Sequence, residues 1–470
     1  MRNRIKYLHF TLLFLTNVSC GVFNKDSSSD DVTAPSYGQP DVYDLQDPDC
    51  GAEGATGTFD KEVKIWISNE NGEVVQKTFD LSNISRNGLN SAFIEKTVYT
   101  DKEILVDKPG HGILPGSRNE GIQLPSQKTS LQLTDSDSDE SLNTMYFCRP
   151  KGGYDRNSKE NVALATLIGI KLTYEKHQKL GPLVDENLSP IDSKLKKVNL
   201  LIHPKIFKID DGKKRYKTNN AAWSNPGAKY GFYILVYPHS KDSETSHPFR
   251  VKFWEQPAIF SHEYGHHIFH HYGKKLSELE KNASKSVRLI ANGLNEGFAD
   301  LISLFTIRTE PELTHIMSMG NHPDKDPNER NPLKKNFKFK GEQYSKTFTY
   351  EMIDTMTEDE PAASTMWQEE HDIGSVVAHT INHTYDANSD LKDDSNKFKS
   401  LIIALDKLNK KYQLYLPFSS KTLLEESLFH FVEPSKPKTL PLTDHTKWID
   451  AIDNSFPEYS SQWVTKFNNQ

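Results

Sequence analysis

The chain has 470 residues, enough for two or three domains with a sizeable buried core. Its 64 acidic side chains outnumber 57 basic ones for a net charge of −7, with no basic block, which argues against nucleic acid as a partner. The mean hydropathy of −0.66 excludes a multispan membrane protein.

The first residues read as a targeting segment rather than structure. Arg2, Arg4 and Lys6 form a positive leader, and Leu8 to Leu15 is an apolar run too short to span a bilayer as a stable helix. Val18-Ser19-Cys20-Gly21 comes next and resembles the lipobox of bacterial lipoproteins, with Asn17 standing where an aliphatic residue is usual. The resemblance implies a signal peptide over residues 1–20, ending at Cys20. It also implies a lipid on that cysteine and a mature protein anchored at the bacterial cell envelope, at the outer membrane or cell surface. Secretion without the anchor is the alternative. With Cys20 so used, Cys50 and Cys148 remain, and export makes a disulfide between them the expectation over two unpaired thiols.

Residues 21–49 are rich in Ser, Asp, Pro and Gly and read as a flexible tether. Strand patterns then begin. Val63 to Ser68 alternates apolar and polar residues, Asn69-Glu70-Asn71-Gly72 reads as a turn, and Val74 to Phe79 as the return strand. Ile104 to Val106 and Ser130 to Leu133 add two more strand-like runs. Together these predict a small β-sandwich-like domain over residues 50–140, whose role is not legible. Its end, Thr134 to Glu140, is acidic and of low complexity. It lacks the glycine and glutamate spacing of an EF-hand and reads as an exposed linker.

Residues 141–470 read as one mixed domain. Val162 to Leu180 is a helix with Val162, Ala165, Ile168 and Leu172 on one side. Val198 to His203 and Gly231 to Tyr237 are strands, and a proline-containing link from Pro248 to Pro257 leads into His262-Glu263-Tyr264-Gly265-His266. Histidines four apart share one face of a helix, so His262 and His266 can aim two ring nitrogens at one metal. Glu263 lies beside them, placed to take a proton from a water that the metal activates. Ile259, Phe260, Ile268 and Phe269 flank the motif as a buried helix requires. His267, His270 and His271 come immediately after, and His266 with His270 repeats the same spacing, so other pairings stay open. Further on, Leu294 to Ile302 is an apolar helical run charged only at Glu296 and Asp300. Buried carboxylates need a partner. Glu296 reads as the third metal ligand, and Asp300, one turn behind it, as the acceptor for a ligand histidine's free N–H.

The His-Glu-Tyr-Gly-His and Asn-Glu-Gly-Phe-Ala-Asp elements resemble those of the gluzincin metallopeptidases, the thermolysin-like group. The resemblance covers roughly residues 150–390 and implies zinc held by His262, His266 and Glu296, with Glu263 as general base and Asp300 behind a ligand histidine. It also implies an oxyanion-stabilising histidine before a glycine–serine pair, which His371-Asp372-Ile373-Gly374-Ser375 supplies through His371. The implied fold is α+β: a zincin-like mixed sheet with the active-site helix, then a mostly helical half. In that family an edge strand beside the active helix binds extended peptide, and residues 219–237 contain either that edge or an interior strand. The gap between His266 and Glu296 is longer than in thermolysin itself, which suggests an insertion over Lys274 to Lys285.

Residues 320–350 are polar, carry Pro323, Pro327 and Pro332, and read as a long surface loop near the site. Ile373 to Tyr385, Ser400 to Lys411 and Leu423 to Val432 read as helices, and His379 with His383 as incidental histidines on the first of them. The resulting expectation is an exported, lipid-anchored zinc metallopeptidase acting on a protein or peptide substrate. An endopeptidase is expected over an exopeptidase, in the absence of an amine-anchoring Gly-x-Met-Glu-Asn motif. A zinc hydrolase acting on something other than peptides is one alternative, and a non-catalytic surface lipoprotein with a structural zinc and a partner-binding β-domain is the other. There one of His267, His270 or His271 would close the zinc site as a fourth ligand.

Overall fold

The computed structural model describes residues 17–18, 44–45, 57–60, 62–100, 103–106, 143–148, 153–185, 187–210, 213–225, 231–240, 251–310, 313, 326, 328–339, 342–357, 370–414, 419–438 and 442–468. Fifteen strands appear among them: β1 Asn17–Val18, β2 Val63–Ser68, β3 Val74–Phe79, β4 Ile94–Tyr99, β5 Glu103–Val106, β6 Asn143–Thr144, β7 Leu183–Val184, β8 Pro190–Ile191, β9 Val198–Ile202, β10 Lys205–Asp210, β11 Lys213–Tyr216, β12 Ala221–Ser224, β13 Phe232–Val236, β14 Asn336–Phe339 and β15 Glu342–Ser345. The α-helices are α1 Lys159–Gln178, α2 Pro257–Tyr272, α3 Lys274–Asn282, α4 Lys285–Ile307, α5 Tyr350–Thr357, α6 Glu370–Asp386, α7 Asp394–Leu414, α8 Ser420–Val432, α9 Leu442–Ser455 and α10 Ser460–Asn468. The molecule is therefore mixed α+β, the coarse class expected, with most strands before Pro257 and most helices after it. Among the described residues no helix is long and apolar enough to cross a membrane.

The main sheet runs β1-β12-β13-β9-β4-β6. β9 lies between parallel neighbours β4 and β13, and every one of its five residues is buried, which is why Val198 to Ile202 is almost continuously apolar. β12 runs antiparallel to β13, with the two-residue β1 on its outer side.

With α2 packed on β12 and β13, helix α1 lies against both α2 and β9. Its start is fixed by Ser158, whose side chain accepts from the Asn161 N–H. Burial is nearly continuous from Glu160 to Ile170, so α1 is a core helix and not the one-sided amphipathic helix that its spacing predicts. Helix α2 opens on Pro257, whose missing N–H costs nothing in a first turn, and stops at Gly273. The suggested insertion folds as the short helix α3, and α4 begins at Lys285, well before the apolar run that the sequence marks.

Two expectations are corrected. The described strands of residues 50–140 do not form a separate sandwich. β2 and β3 pair only with each other, but β4 joins the main sheet beside β9 and β5 pairs parallel with β10. The hairpin is tied to the rest of the molecule: Trp66 N donates to Asn161 Oδ1 at 2.9 Å and Ser68 Oγ to Glu255 O at 3.0 Å. Parallel partners far apart in the chain leave no local sequence mark, which is why the pattern suggested an independent unit. Secondly, the polar stretch 320–350 is not all surface loop. It contains the β14–β15 hairpin, and Glu329, Arg330 and Asn331 are buried. The expected strand at Ser130 to Leu133, the acidic Thr134 to Glu140, most of the leader and tether, Cys20 and Cys50 lie outside the described residues. Cys148 is disulfide-bonded, with its partner also outside them.

Candidate metal centre

His262 and His266 project from successive turns of α2, their ring centroids 4.5 Å apart. Glu296 meets them from α4. One ligand atom from each of the three lies within 4.8 Å of the others, and all three side chains are buried. Such a set can hold a metal ion, and nitrogen and carboxylate donors at this spacing suit a borderline-soft divalent cation.

The helices come close enough because small residues face each other. A Cβ on Gly265 would sit 2.9 Å from Ala299 Cα, so a glycine lets α2 lie directly on α4. A Cβ on Gly374 would sit 2.6 Å from Glu296 Cβ, so α6 closes over the third ligand by the same device.

A layer of hydrogen-bonding groups surrounds the three ligands. His262 Nδ1 lies 2.8 Å from Asp300 Oδ1, which leaves Nε2 facing Glu296 Oε2 at 3.4 Å. His266 Nδ1 lies 2.9 Å from Asn295 Oδ1, with its Nε2 3.6 Å from Glu296 Oε1. Each imidazole is thus oriented by its far nitrogen, as metal-binding histidines are. Arg330 donates to Asp300 and Glu296, with its Nη2 2.7 Å from Asp300 Oδ1 and 3.2 Å from Glu296 Oε2. His371, in the first turn of α6, brings Nε2 to 3.7 Å from the same Glu296 oxygen.

The electrostatics of the metal-free cluster reflect this packing. Burial alone would push His262 down, but its bonds to Asp300 and Glu296 prevail and raise it to about 9. Burial does prevail at His266 and takes it to about 4. For Glu296, burial pushes upward, while His371, His266 and His262 together draw it well below the ordinary carboxylate range. Asp300 is likewise lowered against burial, by Arg330 first and then His262. Arg330 touches both Glu296 and Asp300 and so offsets part of the negative charge buried there.

Glu263 is fully buried, and its Oε2 accepts from the Trp223 backbone N–H of β12 at 2.5 Å. The other histidines of α2 turn elsewhere. His267 Nε2 bonds Lys196 O at 2.8 Å, His270 Nε2 lies 3.1 Å from Asn225 Nδ2, and His271 Nε2 bonds Asp192 O at 2.9 Å. His379 and His383 also stand apart from the cluster, bonded to Pro332 O and Ser455 Oγ.

The structure therefore brings together His262, His266, Glu296, Asp300 and His371, while Glu263, next to His262 in α2, meets β12. It adds Asn295, Arg330 and the Trp223 N–H, to which the sequence pattern assigned no role. Asn295 directly precedes Glu296, and a helical wheel places it near α2. Arg330 has no local signal at all. No family model, curated protein or solved structure matches this chain.

Proposed function

We propose that this chain is a zinc-dependent peptide hydrolase exported to the cell envelope and held there through a lipid on Cys20. The observation that carries the reading is the buried His262, His266 and Glu296 set with Glu263 one residue from the first ligand. Catalytic zinc sites use three protein ligands and structural ones four. The engagement of His267, His270 and His271 with other partners favours the catalytic kind.

Zinc bound at this set supplies Lewis acidity toward a carbonyl oxygen and lowers the pKa of water. Glu263 takes the proton of the attacking water as its oxygen bonds the carbonyl carbon. The carboxyl then passes that proton to the nitrogen as the C–N bond breaks. The Trp223 N–H holds one Glu263 oxygen, which orients the other. His371 donates to the oxygen that gains negative charge. A peptide is favoured as substrate because β12, whose Trp223 N–H meets Glu263, is flanked outward among the described residues by the two-residue β1, which lies in the leader that export would remove. An extended chain can add there by main-chain hydrogen bonds.

The test is hydrolysis of an unfolded protein by a soluble form beginning after Cys20, beside its Glu263→Gln variant, with bound metal measured in both. Cleavage by the parent alone, with equal metal in both, is the expected result. Equal cleavage by the two would sink the role of Glu263.

A further inference from the structure

Arg330 stands in a turn outside any helix or strand, yet it is buried and reaches two carboxylates on α4. A guanidinium presented from irregular backbone needs that backbone fixed by side chains. The carbonyls around it are held in this way. Lys346 Nζ donates to Asn328 O and Asn331 O, each at 2.9 Å. Ser375 Oγ donates to Glu329 O at 2.6 Å, and His379 Nδ1 lies 2.9 Å from Pro332 O. A carbonyl only accepts, so His379 carries its proton on Nδ1. All three clamping side chains are buried. His371, Ser375 and His379 succeed one another at four-residue steps along α6, so one helix face carries both the oxyanion candidate and two parts of the clamp.

We propose that Lys346, Ser375 and His379 are positioning residues that lock the 328–332 turn so that Arg330 orients Glu296 and Asp300 for metal binding. The proposal rests on the metal-centre reading above. Arg330 Nη2 and His371 Nε2 both face Glu296 Oε2, at 3.2 and 3.7 Å. Together they fix the rotation of that carboxylate and hence which oxygen meets the metal. A turn released from α6 lets Arg330 leave, and Glu296 and Asp300 lose their orientation.

The experiment measures Zn2+ affinity by chelator competition, with thermal melting alongside, on the soluble chain beginning after Cys20. Ser375→Val is compared with Ser375→Thr, which has the same shape but keeps the hydroxyl. His379→Leu is compared with His379→Asn, which keeps a donor near the Nδ1 position. Valine and leucine are expected to weaken zinc binding about tenfold, and threonine and asparagine to restore it. Arg330→Met is expected to weaken it to a similar degree, and adding Ser375→Val to Arg330→Met to cost nothing more, because both remove one interaction. A staple serving stability alone would not show that non-additivity. Unchanged affinity in folded Ser375→Val, or full additivity with Arg330→Met, overturns the clamp. Should His379→Leu not fold, Ser375→Val decides the matter. A parent that takes up no zinc overturns the metal-centre reading and the clamp's role with it, a result distinct from parent and variants binding alike.

Discussion

Arg330 grips Asp300 with two nitrogens, Nη2 at 2.7 Å and Nε at 3.2 Å, while Asp300 holds His262 Nδ1 at 2.8 Å from the other side. The aspartate is thus a bridge between a fixed cation and the first ligand of the centre. Replacing it by alanine removes the acceptor that orients His262 and leaves Arg330 buried with less compensation. Metal affinity should fall about 10- to 100-fold. Stability should fall by about 3 kcal/mol or more, the cost of breaking a buried ion pair from one side. Chelator competition and thermal melting on Asp300→Ala check both, and parent-like values in the two would remove Asp300 from the centre.

The contact between α2 and α4 makes a second expectation. Gly265 lies against Ala299, where a Cβ would approach the Ala299 backbone to 2.9 Å. Backbone cannot rotate away as a flexible side chain can, so Gly265→Ala must push the helices apart. Overpacking of this kind costs about 1–3 kcal/mol. Because Gly265 directly precedes His266 and Ala299 directly precedes Asp300, the shift also widens the ligand set. A lower melting temperature together with weaker metal retention is expected. A variant that melts lower but keeps full metal affinity would show that the centre tolerates the displacement.

Acid should destabilise the fold through histidines that lie outside the metal set. His177, bonded through Nε2 to Tyr272 Oη at 2.8 Å, is lowered to about 4, by burial first and then by His271. His379 is also lowered to about 4, again mainly by burial. Both are neutral in the folded chain and protonate near 6.5 once unfolded. Between those values the unfolded state binds more protons, so stability rises with pH across that window. It is fully present above 6.5 and lost as pH falls toward about 4, by up to about 3 kcal/mol for each group. Urea unfolding at pH 7 and pH 5 measures the loss. In His177→Gln the difference between the two pH values should shrink, and an unchanged difference would rule out that residue as a contributor.

The parts of the centre legible in the sequence are those set by helical period. His262, Glu263 and His266 lie on one helix and Glu296 and Asp300 on another, so spacing alone orders them within each element. That α2 and α4 meet depends on Gly265, and that α6 closes over Glu296 depends on Gly374, roles visible only from what stands opposite. Arg330 was not legible because it shares no element with its partners: its carboxylates are on α4, and the residues that hold its turn lie on α6 and after β15. The strand hairpin β2–β3 was readable from its alternation and turn. The placement of β4 was not, since a parallel neighbour is chosen by burial across the sheet and not by nearby residues.

The position of β4 bears on whether the N-terminal region can be removed. β4 covers one flank of β9, whose residues Val198, Leu200, Leu201 and Ile202 are fully buried. Deleting residues 1–100 would uncover the backbone of a central strand and take away Ile94 and Val98, both buried, from the sheet that α1 and α2 pack against. An independent β-domain could be removed without harm to the C-terminal part of the chain. Here the shortened chain should be insoluble or lose cooperative melting, because an apolar strand left as a sheet edge pairs with other chains. A chain beginning after residue 56, which keeps the hairpin and β4, should melt cooperatively. Cooperative melting of the chain that starts at residue 101 would show that the C-terminal part folds alone and that the sheet neighbour β4 is dispensable.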